Sequence, residues 1–229
     1  TSSQISLVGG GSTPKPGEIS LAHRGVLFLD EFPEFSQSAI EALRQPLEDK
    51  VITISRAQGT LTFPASFCLV AAMNPCRCGW SGDKDRKCIC SYNDILRYQK
   101  KISGPILDRF DLQVWVERVN IENLIDKPLE ESSSMIKARV EKARKIQKER
   151  FKKLGINIFS NSEIPQKFID ENISLDTAAK EMLKNAVDRM NLSARSYYKI
   201  IKIAQTICDL DGSNKINEAH IAESISFKL

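Results

Sequence analysis

The chain has 229 residues, 41% hydrophobic and 27% charged, with a formal net charge of +4. That is enough apolar material for one large domain or two smaller ones, and it excludes a disordered tail. No apolar run approaches the roughly 18 residues needed to cross a bilayer, and no secretory leader is recognisable, so a cytoplasmic protein with no membrane partner is expected.

The chain opens at Thr1, without a methionine, and reads as part of a longer protein. Residues 1–24 are rich in glycine and proline, with "GGG" at 9–11 and "PKPG" at 14–17, and predict a loop. "GVLFLD" at 25–30 predicts a strand that is apolar on both faces, as in the middle of a parallel sheet. Ser36 predicts the N-cap of a helix carrying Ile40, Leu43 and Leu47. "VITIS" at 51–55 and "TLTF" at 60–63 predict a hairpin with Gly59 in its turn. A second buried strand is expected at 67–73, a helix at about 91–102 and a third strand, "LQVWV", at 112–116. Residues 119–131 turn polar and read as a linker. Beyond them helices are expected at 132–153, 174–190, 193–209 and 217–227, with Ser174, Ser193 and Asn217 as caps. Strands first and helices second predict an α/β domain followed by a small all-α one.

Asp30 and Glu31 close the first strand side by side. In P-loop ATPases the first such carboxylate holds Mg²⁺ through its water shell, and the second polarises the water that attacks the γ-phosphate. The alternative for this pair alone is a solvated strand end. Three further residues favour the first reading. Asn74 ends the next apolar strand, where an amide can orient the attacking water. Arg109, in "LDRFDL", precedes the third expected strand and can reach a neighbouring subunit's nucleotide. Arg195, in "LSARSYYKI", starts a helix of the second domain.

Four cysteines, at 76, 78, 88 and 90, lie within fifteen residues. With no secretion signal, such a cluster reads as metal-binding before disulfide, and four thiolates suit tetrahedral Zn²⁺ in a structural role. C-x-C is a tighter chelate than C-x-x-C, and unligated reduced cysteines are the alternative. The basic stretch 132–153 holds nine Lys/Arg against Glu141 and Glu149, spread round the helix. It reads as a solvated face before a DNA contact, with Met135, Ile136, Val140, Ala143, Ile146 and Phe151 available for packing.

The stretch from "GEISLAHRGVLFLDEF" through "AAMNPCRCG", with "LDRFDL" and "LSARSYYKIIKIAQTICDL", resembles the AAA+ module of the magnesium-chelatase-like, YifB/ComM-type competence proteins. The resemblance implies a partial AAA+ P-loop-type core, a parallel sheet with a β-hairpin insertion, at 1–118, and a helical lid at 132–229. It implies Asp30 and Glu31 as Walker B, Asn74 as sensor 1, Arg109 as arginine finger and Arg195 as sensor 2. ATP and Mg²⁺ are the implied cofactors and a hexameric ring of this protein the implied assembly. The hairpin would project into the pore, with Arg56 gripping DNA phosphate. The implied activity is that of an ATP-driven DNA branch-migration or helicase motor of natural transformation. A protein-remodelling ATPase of the chelatase-subunit type is the alternative. The family's Walker A loop has no counterpart here. "GGGSTPKPG" puts Pro14 where the second glycine belongs and Pro16 after Lys15. The chain alone is therefore expected to bind ATP weakly or not at all and not to hydrolyse it.

Overall fold

Two glycines shape the N-terminal stretch. Helix α1 (Gln4–Val8) leads into β1 (Gly9–Gly10), which pairs antiparallel with β2 (Lys15–Pro16) before helix α2 (Glu18–Leu21). A Cβ on Gly9, where φ is +96°, would lie 2.3 Å from the Lys15 carbonyl oxygen, and one on Gly17 would lie 2.3 Å from the Gly9 nitrogen. Only hydrogen fits at either place. The expected loop is thus partly helical, and its glycines serve a backbone crossing. The computed structural model describes residues 4–11, 14–56, 59–117 and 131–228. The expected linker, apart from Glu131, lies outside them.

The chain divides into two compact units, Thr1–Phe110 and Asp111–Leu229. In the first, β3 (Val26–Leu29) is followed by a 3₁₀ turn over Phe32–Glu34 and then by helices α3 (Gln37–Ala42) and α4 (Arg44–Asp49). Ser36 caps α3 by accepting from the Ala39 N–H at 3.3 Å, as expected. The single helix expected there is split at Leu43. Pro46 has no N–H to give and its ring crowds the carbonyl four residues back, at Ala42, where α3 ends. Strands β4 (Val51–Arg56) and β5 (Gly59–Pro64) form the hairpin, in register from Val51↔Pro64 to Arg56↔Gly59. Ile52 and Ile54 point into the core, while Thr53 and Thr62, and Ser55 and Thr60, form hydroxyl pairs on the other face.

Strand β6 (Cys68–Ala71) returns parallel to β3, in register from Val26↔Cys68 to Leu29↔Ala71. The first unit's core gathers Leu27 and Leu29 with Ile19, Phe32, Ile40, Leu43, Ile52, Ile54 and Ile106. The expectation that β3 is covered on both faces is not met among the described residues. Val26 and Phe28 are 63% and 59% exposed, although parallel sheets are usually buried on both sides. Helices α5 (Tyr92–Gln99) and α6 (Gly104–Leu107) complete the unit.

In the second unit, "LQVWV" does not form a strand. The Gln113 N–H donates to the Phe227 carbonyl at 3.0 Å, but among the described residues no sheet edge pairs with the segment, and Val116 is 83% exposed. Alternation marks a candidate strand; a partner edge is what makes one. Helix α7 (Ser133–Lys153) buries Ala143, Gln147 and Phe151, while Met135, Ile136 and Val140 in its first turns stay exposed, so only the later half of the expected apolar face packs. Helix α8 (Gln166–Asn172), which sequence reading missed, starts after Pro165. Helix α9 (Thr177–Met190) is capped by Asp176, not Ser174. A parallel bridge between Leu175 and Ile216, with the Asp176 N–H donating to the Ile216 carbonyl, keeps the chain extended up to that point. Helices α10 (Ala194–Asp211) and α11 (Glu218–Ser226) start at Ser193 and Asn217, as expected.

Candidate functional site

The two parallel strands β3 and β6 end on the same side of the sheet, which is where ligands collect in α/β folds. Asp30 follows β3 directly, and Asn74 follows β6 by three residues. The ladder continues past both strand ends: the Ala72 N–H donates to the Leu29 carbonyl and the Phe32 N–H to the Ala72 carbonyl, each at 2.9 Å. Asp30, Glu31 and Asn74 are all solvent-exposed.

Glu31 occupies the left-handed region, with φ 49° and ψ 43°. A non-glycine residue pays for this conformation, and such outliers gather at functional sites. The neighbouring carboxylate helps hold it: Asp30 Oδ1 accepts from the Glu31 N–H at 2.8 Å. The chain then turns sharply into the 3₁₀ segment, anchored by Phe32, which is 1% exposed and packs edge-on against Phe110 at 5.8 Å.

Helix α5 supports both strand ends, a role that sequence reading missed. Tyr98 is 4% exposed, and its phenol lies near the Asn74 backbone, Glu34, Cys76 and Glu31. Burial pushes the phenol pKa up, and the nearby Glu34, Cys76 and Glu31 push it the same way. Gln99 Nε2 donates to the Pro75 carbonyl at 3.2 Å, and Lys101 pairs with Glu34 at 3.2 Å. Nothing in the sequence pattern marks these residues, because their partners lie more than twenty positions away in the chain.

Arg109 is bound within its own unit. Its guanidinium pairs with Glu48 on α4 and donates to the Pro105 carbonyl; the side chain is 9% exposed, and its buried Nε has no partner among the described residues. In the second unit, Arg195 lies in the first turn of α10, half-buried. Lys199, one turn on, pairs with Asp111 at 2.8 Å. Burial pulls the Lys199 pKa down; Asp111 opposes this, and the nearby cations Arg195 and Lys228 add to it. The backbone of Arg56 closes the hairpin opposite Gly59, and its side chain lies outside the described residues.

The four cysteines converge. Cys76, Cys78 and Cys88 have sulfur separations of 3.4, 3.7 and 3.5 Å, and all four sulfurs, including that of Cys90, lie within 4.8 Å of one another. Four thiolates about 2.3 Å from one Zn²⁺ stand about 3.8 Å apart in a tetrahedron, so the spacing fits. Left-handed glycines turn the loop, Gly79 at φ 81° and Gly82 at φ 84°. Backbone donors at Trp80 and Ile89 lower the Cys78 thiol to about 6. Arg86 stacks over Trp80 at 4.4 Å. His23 and His220 serve local structure: His23 Nδ1 accepts from the Ser66 N–H, and His220 completes the cap of α11.

Comparison with known proteins agrees with the fold. The family described as magnesium chelatase, subunit ChlI, matches residues 1–124, and the one described as its C-terminal part matches residues 130–228. The chain is 44% identical over its full length to the competence protein ComM of Haemophilus influenzae and 39% identical to the uncharacterized protein YifB of Escherichia coli. It covers 43% and 44% of those proteins, so it spans less than half their length. A more distant likeness, 24% identity over 91% of the chain, is to the DNA replication licensing factor Mcm6 of Drosophila melanogaster, of which it covers 25%. A mixed α/β unit with parallel strands, an all-helical second unit and these matches place the chain in the magnesium-chelatase-like AAA+ family, in its ComM/YifB group.

Proposed function

We propose that this chain supplies the hydrolytic and sensing residues of an ATP-driven, ring-forming motor that acts on DNA. The observation that carries the reading is the placement of Asp30, Glu31 and Asn74 at the same ends of two adjacent parallel strands. Asp30 would hold Mg²⁺ through water, Glu31 would draw a proton from the attacking water, and Asn74 would fix that water's orientation. Bound Mg²⁺–ATP supplies the phosphoryl group to be transferred. Arg195 would contact phosphate from the helical unit, and Arg109 would act on a neighbouring subunit's nucleotide once released from Glu48. Among the described residues no strand–loop–helix phosphate cradle appears. The 229-residue chain by itself is therefore expected to bind ATP weakly and to leave it intact.

DNA as the substrate is supported by two relatives, a competence protein and a DNA replication licensing factor. The hairpin β4–β5, with Arg56 at the end of its first strand, is the element we assign to DNA phosphate. Branch migration or unwinding is the task we assign. A second reading, a remodelling ATPase that serves metal insertion into a porphyrin, is favoured by the chelatase family match itself. The stimulating ligand separates them: DNA raises hydrolysis in the first case, a protein partner in the second. The four-cysteine loop we assign to structural Zn²⁺.

Glu31→Gln in the protein of full relative length tests the core of the proposal. Nucleotide binding should persist while hydrolysis falls by at least about 10²-fold, the lower range for a lost general base. Unchanged turnover would end the assignment of Glu31.

A further inference from the structure

The four-cysteine loop does not stand apart from the strand ends; it begins two residues after Asn74. Pro75 lies between Asn74 and Cys76, and a following proline confines Asn74 to extended backbone. Two residues span at most about 7 Å, so Asn74 cannot move far while the Cys76 sulfur is held. Cys76 is fully buried, unlike its three partners in the cluster.

Helix α5, which follows the loop's last cysteine, turns back onto its first residues. Gln99 holds the Pro75 carbonyl, and the buried Tyr98 lies beside the Asn74 backbone. Lys101, just beyond the helix, reaches Glu34 in the turn after Glu31. The chain thus makes a closed circuit from Asn74 through the cysteines and α5 back to both strand ends. Between Arg77 and Arg97 no residue is buried, so this part of the circuit has no apolar core of its own to keep its shape.

We propose that a Zn²⁺ held by Cys76, Cys78, Cys88 and Cys90 is what sets Asn74 against Asp30 and Glu31, acting through the buried Cys76 and through Tyr98 and Gln99 as positioning residues. The functional meaning of that placement rests on the nucleotide reading given above; the placement itself does not. Under this proposal, metal loss loosens the end of β6 and not merely the loop, which couples the hydrolytic geometry to metal and thiol state.

Hydrogen exchange on the purified chain tests it without any nucleotide. Zinc content is measured, and cobalt substitution is read from the thiolate charge-transfer and d–d bands of a tetrahedral sulfur site. Exchange is then compared in zinc-loaded protein, in chelated protein and in the Cys88→Ser variant. One metal ion per chain is expected, and its removal should speed exchange in segments 67–74 and 92–101 by about tenfold or more, with 133–226 unchanged. Faster exchange confined to 76–91 would overturn the coupling and leave a local staple. Absence of any zinc or cobalt binding would overturn the metal site while leaving the Glu31→Gln result untouched. If chelation unfolds the whole first unit, Gln99→Ala and Tyr98→Leu decide: with zinc content unchanged, both should loosen 67–74, and no change in either would refute its positioning role.

Discussion

Asp209 is 1% exposed, on the buried side of α10. Its carboxylate accepts from Arg150, from Asn161 at 2.8 Å and from Gln205 at 3.1 Å. A buried charge is tolerable only when paired and hydrogen-bonded in this way. Arg150→Met would strand it, at a cost of about 3–5 kcal/mol in the stability of the helical unit, read as the loss of helical ellipticity in urea. Replacing both partners, Arg150→Met with Asp209→Leu, should recover most of that loss; a double variant as unstable as the single one would show that the network does more than neutralise one buried charge. Sequence reading placed Arg150 among nine basic residues of a solvated face, and that misplaced it. Charge composition alone does not say which cation a distant carboxylate will capture. Arg109 and Arg195 were legible as candidate phosphate contacts, but the Glu48 pair that holds Arg109 was not, since Glu48 lies 61 positions away.

At the scale of elements, local chemistry was the better guide. Ser36, Ser193 and Asn217 cap the helices they were expected to cap, because a side-chain oxygen needs only the N–H three residues on. The hairpin followed from two alternating runs; Gly59, expected in its turn, instead opens β5 opposite Arg56, with a φ of 138° that a glycine readily adopts. Its docking is one-sided, and that can be measured. Ile54→Ala removes a buried anchor and should cost about 2–4 kcal/mol in the first unit, whereas Thr62→Ala on the open face should stay within about 0.5 kcal/mol. Equal effects from the two in denaturant melts would mean that the hairpin is not anchored by its isoleucine face. Elements whose existence depends on a distant partner were misread. "LQVWV" has a strand's alternation without an edge to join, and the cap of α9 moved to Asp176 because Ile216, some forty positions on, takes up Leu175.

For the whole molecule, the two strand ends and the cysteine loop form one connected structure in the first unit, while the cations near Arg195 form another in the second. Under the proposed function Arg109 acts only between subunits. Arg109→Ala in the protein of full relative length should therefore lower hydrolysis by about 10³–10⁵-fold while leaving nucleotide binding near normal. Hydrolysis unaffected by this change would confine Arg109 to its structural pair with Glu48. The sequence by itself determined the hairpin, most of the longer helices with three of their caps, the carboxylate pair with its asparagine as candidates, and the four clustered cysteines. These depend on periodicity, capping and ligand spacing, all of which act over a few residues. Only the tertiary structure decided that β3 and β6 are parallel neighbours, that the four sulfurs meet, and that Gln99 fastens the loop after Asn74 beside the buried Tyr98. Those facts come from pairings between residues far apart in the chain, and such pairings are selected by the fit of whole surfaces.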